Sequence, residues 1–250
     1  MQENWKHYFC NVNDKFASIA LDLGLRADIP LPDKPWLLWV WVYLLFPGPQ
    51  RLTTSDEAPV IWAIEKELEK TSHATCEAVP CGRITTDGKR EVYFYGKTKG
   101  GFKAAVRKAM SGFPEYRFDF GSRYEPGWNQ YLNVLFPSQE SMESIKNVDL
   151  LEVFRKNGDA LVTPREVTHW IYFAEESNRE TFSRNLQQLG YSAQDLPPSP
   201  EDEHPYGVTV SRIQSISLTE IDKTVLELLR LAKLQNGYYD GWEAQVIPAK

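Results

Sequence analysis

Three cysteines and four histidines are the side chains of this 250-residue chain best suited to metal or nucleophile chemistry. His7-x-x-Cys10 and His73-x-x-Cys76, with Cys81 nearby, present five soft ligands. Zinc ribbons use tight Cys-x-x-Cys pairs, whereas four residues separate Cys76 from Cys81. No metal template is met, and Cys76 and Cys81 read as small, half-buried side chains in or beside a strand. There is no Gly-x-Ser-x-Gly elbow and no phosphate loop. Lys97-Thr-Lys-Gly-Gly101 before a helix offers free N–H groups to an anion, but a lone Gly-Gly more simply makes a flexible strand-to-helix turn. His169, next to Trp170, titrates near neutral pH if solvated, but no carboxylate is placed beside it, so it reads as a sheet-face histidine. The expectation is no catalytic residue, no metal and no cofactor.

Two other groups of residues point to binding. Trp39, Trp41 and Tyr43 share one face of a strand whose other face carries Val40, Val42 and Leu44. A strand apolar on both faces needs two covers. Helices supply one; the aromatic face is left for an N-terminal hairpin, a second domain or a partner protein. Negative charge gathers at Glu175-Glu176, at Glu201-Asp202-Glu203 and at Asp240-Gly-Trp242-Glu243. Such a surface engages a Lys/Arg-rich segment, and charge of this kind selects partners and speeds association more than it adds affinity. A solvated loop and a structural Trp242 at a strand start is the competing reading, and for Trp242 it is the favoured one.

The bulk numbers agree with a folded, water-facing protein: 42% hydrophobic and 25% charged residues, net charge −6. Residues 146–250 hold 11 Lys/Arg against 16 Asp/Glu, while residues 1–145 hold 17 against 18. The acidic second half repels phosphate backbones, so direct nucleic-acid binding is not expected there. No stretch approaches the ~20 apolar residues of a membrane span, and no signal peptide is visible. A cytoplasmic location without membrane association follows as the expectation.

The elements that must position these residues are legible from periodicity. In the second half, a strand over 167–173 precedes a Ser177-x-x-Glu180 capping box and a helix striped by Phe182, Leu186 and Leu189. A short strand from Tyr191, an irregular stretch over 196–205 with four prolines, and an alternating strand over 206–213 follow. Ser217-x-x-Glu220 opens a longer helix, Asn236-Gly237 ends it, and residues 238–247 supply a last strand. The order is β-α-β-β-α-β. The first half repeats it: a strand over 36–45, a helix after Thr54-x-x-Glu57, a hairpin around Asp87-Gly88, a helix striped by Phe102, Val106 and Met110, and a strand over 116–124. Residues 1–25 fit either a helix or a hairpin turned at Asn13-Asp14, with the hairpin preferred. The predicted fold is α+β, two ferredoxin-like domains with antiparallel sheets, at 1–138 and 159–250. A linker over 139–158 holds a short helix over 149–155.

Thr168-His-Trp-Ile-Tyr-Phe173, Gln187-Gln-Leu-Gly-Tyr191, and Leu228 to Leu234 leading into Tyr239-Asp-Gly-Trp242 resemble the RraB family, protein regulators that bind and inhibit RNase E. The resemblance covers about residues 160–247. Leu21-Asp22-Leu23, the strand at 36–45, Gly82-Arg83, Tyr93-Phe-Tyr95 and Trp128-x-x-Tyr131 through Leu135-Phe-Pro137 resemble the domain of unknown function 695, a family without an established activity. Together these imply a bacterial, non-enzymatic regulator or adaptor, its acidic second domain docking on RNase E or another basic RNA-processing protein. The additional first domain departs from the RraB pattern. An enzyme or small-ligand protein using a cleft between the domains is the alternative, and perturbed titratable groups converging in a deep apolar pocket would favour it.

Overall fold

A computed structural model describes residues 2–248, which divide into two compact units at Ser141/Met142. The first unit opens with the hairpin β1 (Trp5–Val12) and β2 (Lys15–Asp22), paired in register from Trp5↔Asp22 to Val12↔Lys15. Asn13 and Asp14, at φ 50° and 61°, form the two-residue turn that matches strand twist, so the hairpin alternative is the one adopted. After a 3₁₀ turn at Leu23–Ala27 come β3 (Trp36–Tyr43), α1 (Ala58–Cys76), β4 (Val79–Thr86), β5 (Lys89–Gly96), α2 (Phe102–Met110) and β6 (Phe118–Tyr124). Asp87 and Gly88, at φ 50° and 76°, turn β4 into β5 in the same manner as the first hairpin.

The six strands lie in the order β1-β2-β4-β5-β3-β6, every pairing antiparallel. Within β3-α1-β4-β5-α2-β6 the spatial order is fourth, first, third, second, and the hairpin extends the sheet beyond β4. Leu38, Val40 and Val42 of β3 are buried in one cluster with Ile61, Ile64 and Leu68 of α1 and Val106 of α2. The helices thus cover one face, as alternation along β3 requires. Thr54 does not start α1 directly: its hydroxyl accepts from the Glu57 N–H (3.4 Å), and Glu57 instead accepts from the N–H groups of Leu45 (2.7 Å) and Phe46 (3.2 Å).

The second unit contains α3 (Gln139–Lys156) from Met142 onward, then β7 (Arg165–Phe173), α4 (Glu176–Gln188), β8 (Ser192–Asp195), β9 (Tyr206–Gln214), α5 (Leu218–Leu234) and β10 (Gly237–Ala244). Its four strands are antiparallel in the order β10-β7-β9-β8, again fourth, first, third, second. Residues 139–156, expected as a linker with one short helix, form one continuous helix that buries Leu151 and Phe154 in the unit's core. Neither expected capping box forms. α4 begins at Glu176, so Ser177 lies inside it, and Ser217 occupies the N-cap of α5 without a side-chain hydrogen bond. Two α+β units with antiparallel sheets are therefore present. Among the described residues, no helix is long and apolar enough to cross a membrane.

Candidate functional site

Alternation along β7 decides which side chains the second unit offers to solvent. Val167, His169, Ile171 and Phe173 turn to the helices and are fully buried. Thr168, Trp170 and Tyr172 turn the other way and stay half-buried, with Glu166 exposed in line with them. Pairing extends this face to neighbouring strands: Thr168 opposes Ser211 and Glu243, Trp170 opposes Thr209 and Gly241, and Tyr172 opposes Gly207 and Tyr238. Gly207 has a specific role here. A Cβ at that position would come within 2.9 Å of the Tyr172 ring, so glycine lets the phenol lie flat on the sheet. None of the face positions on β7, β9 and β10 named here is Lys or Arg.

Carboxylates surround the aromatic residues. The Tyr172 hydroxyl is pushed above its usual pKa by burial and then by the charges of Asp240 and Asp202. Glu166 accepts from Ser211 Oγ (2.9 Å). Glu166 and Glu243, with Arg165, Thr168, Ala244 and Gln245, line a cavity of 420 Å³. At the other end of the sheet, Phe173 pairs with both Gly237 and Tyr206, which brings the chain segments after β7 and before β9 and β10 together. Exposed Glu175, Glu176, Glu201, Asp202 and Glu203 belong to this end. Glu176 is paired with Arg179 (3.0 Å), which also reaches Asp195 (3.2 Å).

Trp242 is placed differently from its acidic neighbours. A β-bulge between Tyr239 and Gly241 adds Asp240 to β10 without a partner on β7. Tyr239 and Trp242 consequently both face the core, and Asp240 and Glu243 are exposed. Trp242 Nε1 donates to Asn147 Oδ1 of α3 (2.7 Å), Asn147 Nδ2 donates to Asp222 of α5 (2.7 Å), and the indole stacks on Phe154. It is 8% exposed and ties β10 to α3. Trp170, Tyr172, Tyr238 and Glu166 were not singled out from sequence. The signal was present: the period of two along Thr168-His-Trp-Ile-Tyr-Phe173 separates Trp170 and Tyr172 from the buried set.

In the first unit, the sheet face that carries Trp39 and Trp41 is partly covered by a turn of π-helix at Gln130–Leu135, which packs on β2 and β4, and by the tryptophan before it, which lies on β5. Trp128 stacks on Tyr95 (3.9 Å), Tyr131 Oη donates to the Asp22 carbonyl (2.8 Å), and Tyr8 Oη donates to the Leu135 carbonyl (3.0 Å). The cover ends short of Trp39 and Trp41, which stay half-buried and line a cavity of 160 Å³ with Leu37, Tyr93, Arg123 and Gln130. The Trp39 indole lies against Gly121, where a Cβ would fall 2.2 Å from the ring, and Lys89 Nζ sits 4.2 Å over Trp41. Tyr93 Oη donates to Glu91 (2.5 Å).

The residues weighed for metal or proton chemistry do not assemble. Among the described residues no group of three His, Cys, Asp or Glu is placed to hold a metal ion. Burial raises the pKa of all three thiols; Cys76 donates to the Gly100 carbonyl and Cys81 to that of Tyr93. His169 is fully buried, its Nδ1 2.9 Å from Tyr239 Oη, and burial followed by the charge of Arg212 lowers its pKa to about 3.

Compared with known proteins, the family described as family of unknown function (DUF695) matches residues 3–136, and the family described as regulator of ribonuclease activity B matches residues 144–244. No curated protein matches the chain. Solved structures similar to it include an unknown protein from Galdieria sulphuraria (14% identity over 85% of this chain and 99% of that one, TM-score 0.22) and a putative glycine cleavage system transcriptional repressor (8% identity over 84% and 98%, TM-score 0.23).

Proposed function

Because this chain belongs to the DUF695 family of unknown function and its second unit matches the regulator of ribonuclease activity B family, we propose that it is a non-enzymatic, cytoplasmic, protein-binding regulator. Its partner is a basic protein, with RNase E or another RNA-processing enzyme first to be tested. The observation that carries this reading is the half-exposed Trp170–Tyr172 face with carboxylates beside it and no lysine or arginine at its paired strand positions. Aromatic rings and carboxylates together suit arginine-rich segments, because a guanidinium stacks on a ring face while its edge bonds to a carboxylate. We read both units as ferredoxin-like, a reading supported by the fourth-first-third-second strand order in each. The groove at Trp39 and Trp41 is a second contact for the same partner in this reading.

The test is a pull-down from host lysate at low and moderate salt, comparing the intact chain with an Asp202→Asn/Asp240→Asn/Glu243→Gln variant. All three positions are exposed. The reading expects an RNA-processing protein to be retained by the native chain, released as salt rises, and lost by the variant. Equal retention by both chains at both salt concentrations would refute it.

A further inference from the structure

A second concave site lies in the first unit, away from the aromatic face of β3. Trp62, Glu65, Lys66 and Glu69 lie along α1, Trp62 and Glu69 seven residues or about two turns apart, and with Glu3, Trp5, Pro80 and Arg83 they line a cavity of 310 Å³. Part of this lining is satisfied within the chain. Buried Glu65 pairs with Arg90 and with Arg83 (3.4 Å), and the Arg83 guanidinium lies 5.5 Å over the Trp5 ring. Two groups are not. Trp62 is 54% exposed and, among the described residues, has no ring, cation or hydrogen-bond partner. Glu69 has no ion pair or hydrogen bond there.

An indole face and a carboxylate are the two surfaces that an alkylammonium group satisfies at once. The ring quadrupole attracts the charge and covers the attached methylenes, while the carboxylate supplies the counter-charge. Trp5, already under a guanidinium, is a working instance of that contact beside the open one. The local field has the matching sign. After burial, the Glu65 carboxylate is the largest influence raising the Glu69 carboxyl; Glu3 adds to it, and Arg83 and Lys66 oppose it. A metal ion is the poorer fit, because hard cations need several converging oxygens and these carboxylates do not converge. We propose that this cavity binds an organic ammonium group, with the Trp62 ring face and the Glu69 carboxylate as its contacts. Lys66 lies between them along the helix and, with Arg83, opposes the field of the carboxylates.

The experiment is a titration of the intact chain, ¹⁵N-labelled at its indoles, with tetramethylammonium chloride against sodium chloride at equal ionic strength. The expected result is a saturable shift of the Trp62 Nε1 resonance with tetramethylammonium alone, on the order of millimolar for so small a probe. In Trp62→Leu none of the remaining indoles shifts saturably, and the midpoint rises at least about fivefold in Glu69→Gln. Trp62 is exposed and Glu69 half-buried, and circular dichroism checks that each variant keeps its helices. Spermidine and a lysine-containing tripeptide distinguish a free polyamine from a protein lysine by which saturates at lower concentration. Shifts that are linear and equal in the two salts, or a midpoint unchanged in Glu69→Gln, would overturn the proposal.

Discussion

Trp170 and Trp242 sit on paired strands of one small sheet, and their surroundings assign them opposite roles. Trp242 fills the core and donates to Asn147, so Trp242→Ala should cost about 3–5 kcal/mol, from lost contacts plus a buried amide without its donor. Trp170→Ala, on the open face, should change stability by less than about 1 kcal/mol while weakening partner binding. Urea unfolding of the two variants separates these outcomes, and a reversed order would contradict the bulged register of β10. His169 carries a pH dependence of defined sign. Its folded pKa of about 3 lies below the ordinary histidine value, so the unfolded chain binds the additional proton as pH falls. Stability from this residue is fully present above about pH 6.5 and declines toward pH 3, by at most about 1.4 kcal/mol per pH unit. Urea midpoints at pH 7, 6 and 5 should fall progressively, with a shallower fall in His169→Leu.

At the scale of elements, the two-residue turns and the strands were readable because their signals are local. Asn13-Asp14 and Asp87-Gly88 specify their own geometry, and β3 is too apolar to be anything but a covered strand. α3 was reduced to a short helix because its apolar residues, Met142, Ile145, Val148 and Val153 among them, do not form one stripe, and only packing against β10 completes it. The bulge at Asp240 was invisible because strict alternation puts Trp242 on the wrong face, and only the strand partner reveals the additional residue. The cover over the aromatic side of the first sheet was missed for a related reason: a single turn of π-helix has no periodic signature. Gly121 tests how that face is built. Gly121→Val should push the Trp39 indole off β6 and destabilise the first unit by about 1–3 kcal/mol, measured by thermal unfolding. An unchanged melting temperature would mean that Trp39 does not rest on β6.

For the whole molecule, the sequence indicated two α+β halves of unequal charge, and the family matches at 3–136 and 144–244 fall on those halves. What composition left open was where the charge meets structure. The net −5 of residues 146–250 is spread over many positions, but strand pairing and a turned loop bring Asp202 and Asp240 beside Tyr172. The acidic residues were legible one at a time; the aromatic surface between them was marked only by the period of two along β7, which large side chains on both faces obscure. The central claim is that this face receives a basic partner. It is tested most directly by titrating the intact chain with an arginine-rich peptide while following the Trp170 indole resonance at two salt concentrations. The account predicts a saturable shift of Trp170, with affinity falling about tenfold between roughly 50 and 300 mM salt as screening weakens the attraction. A Trp170 resonance that does not move, or a midpoint indifferent to salt, would contradict it.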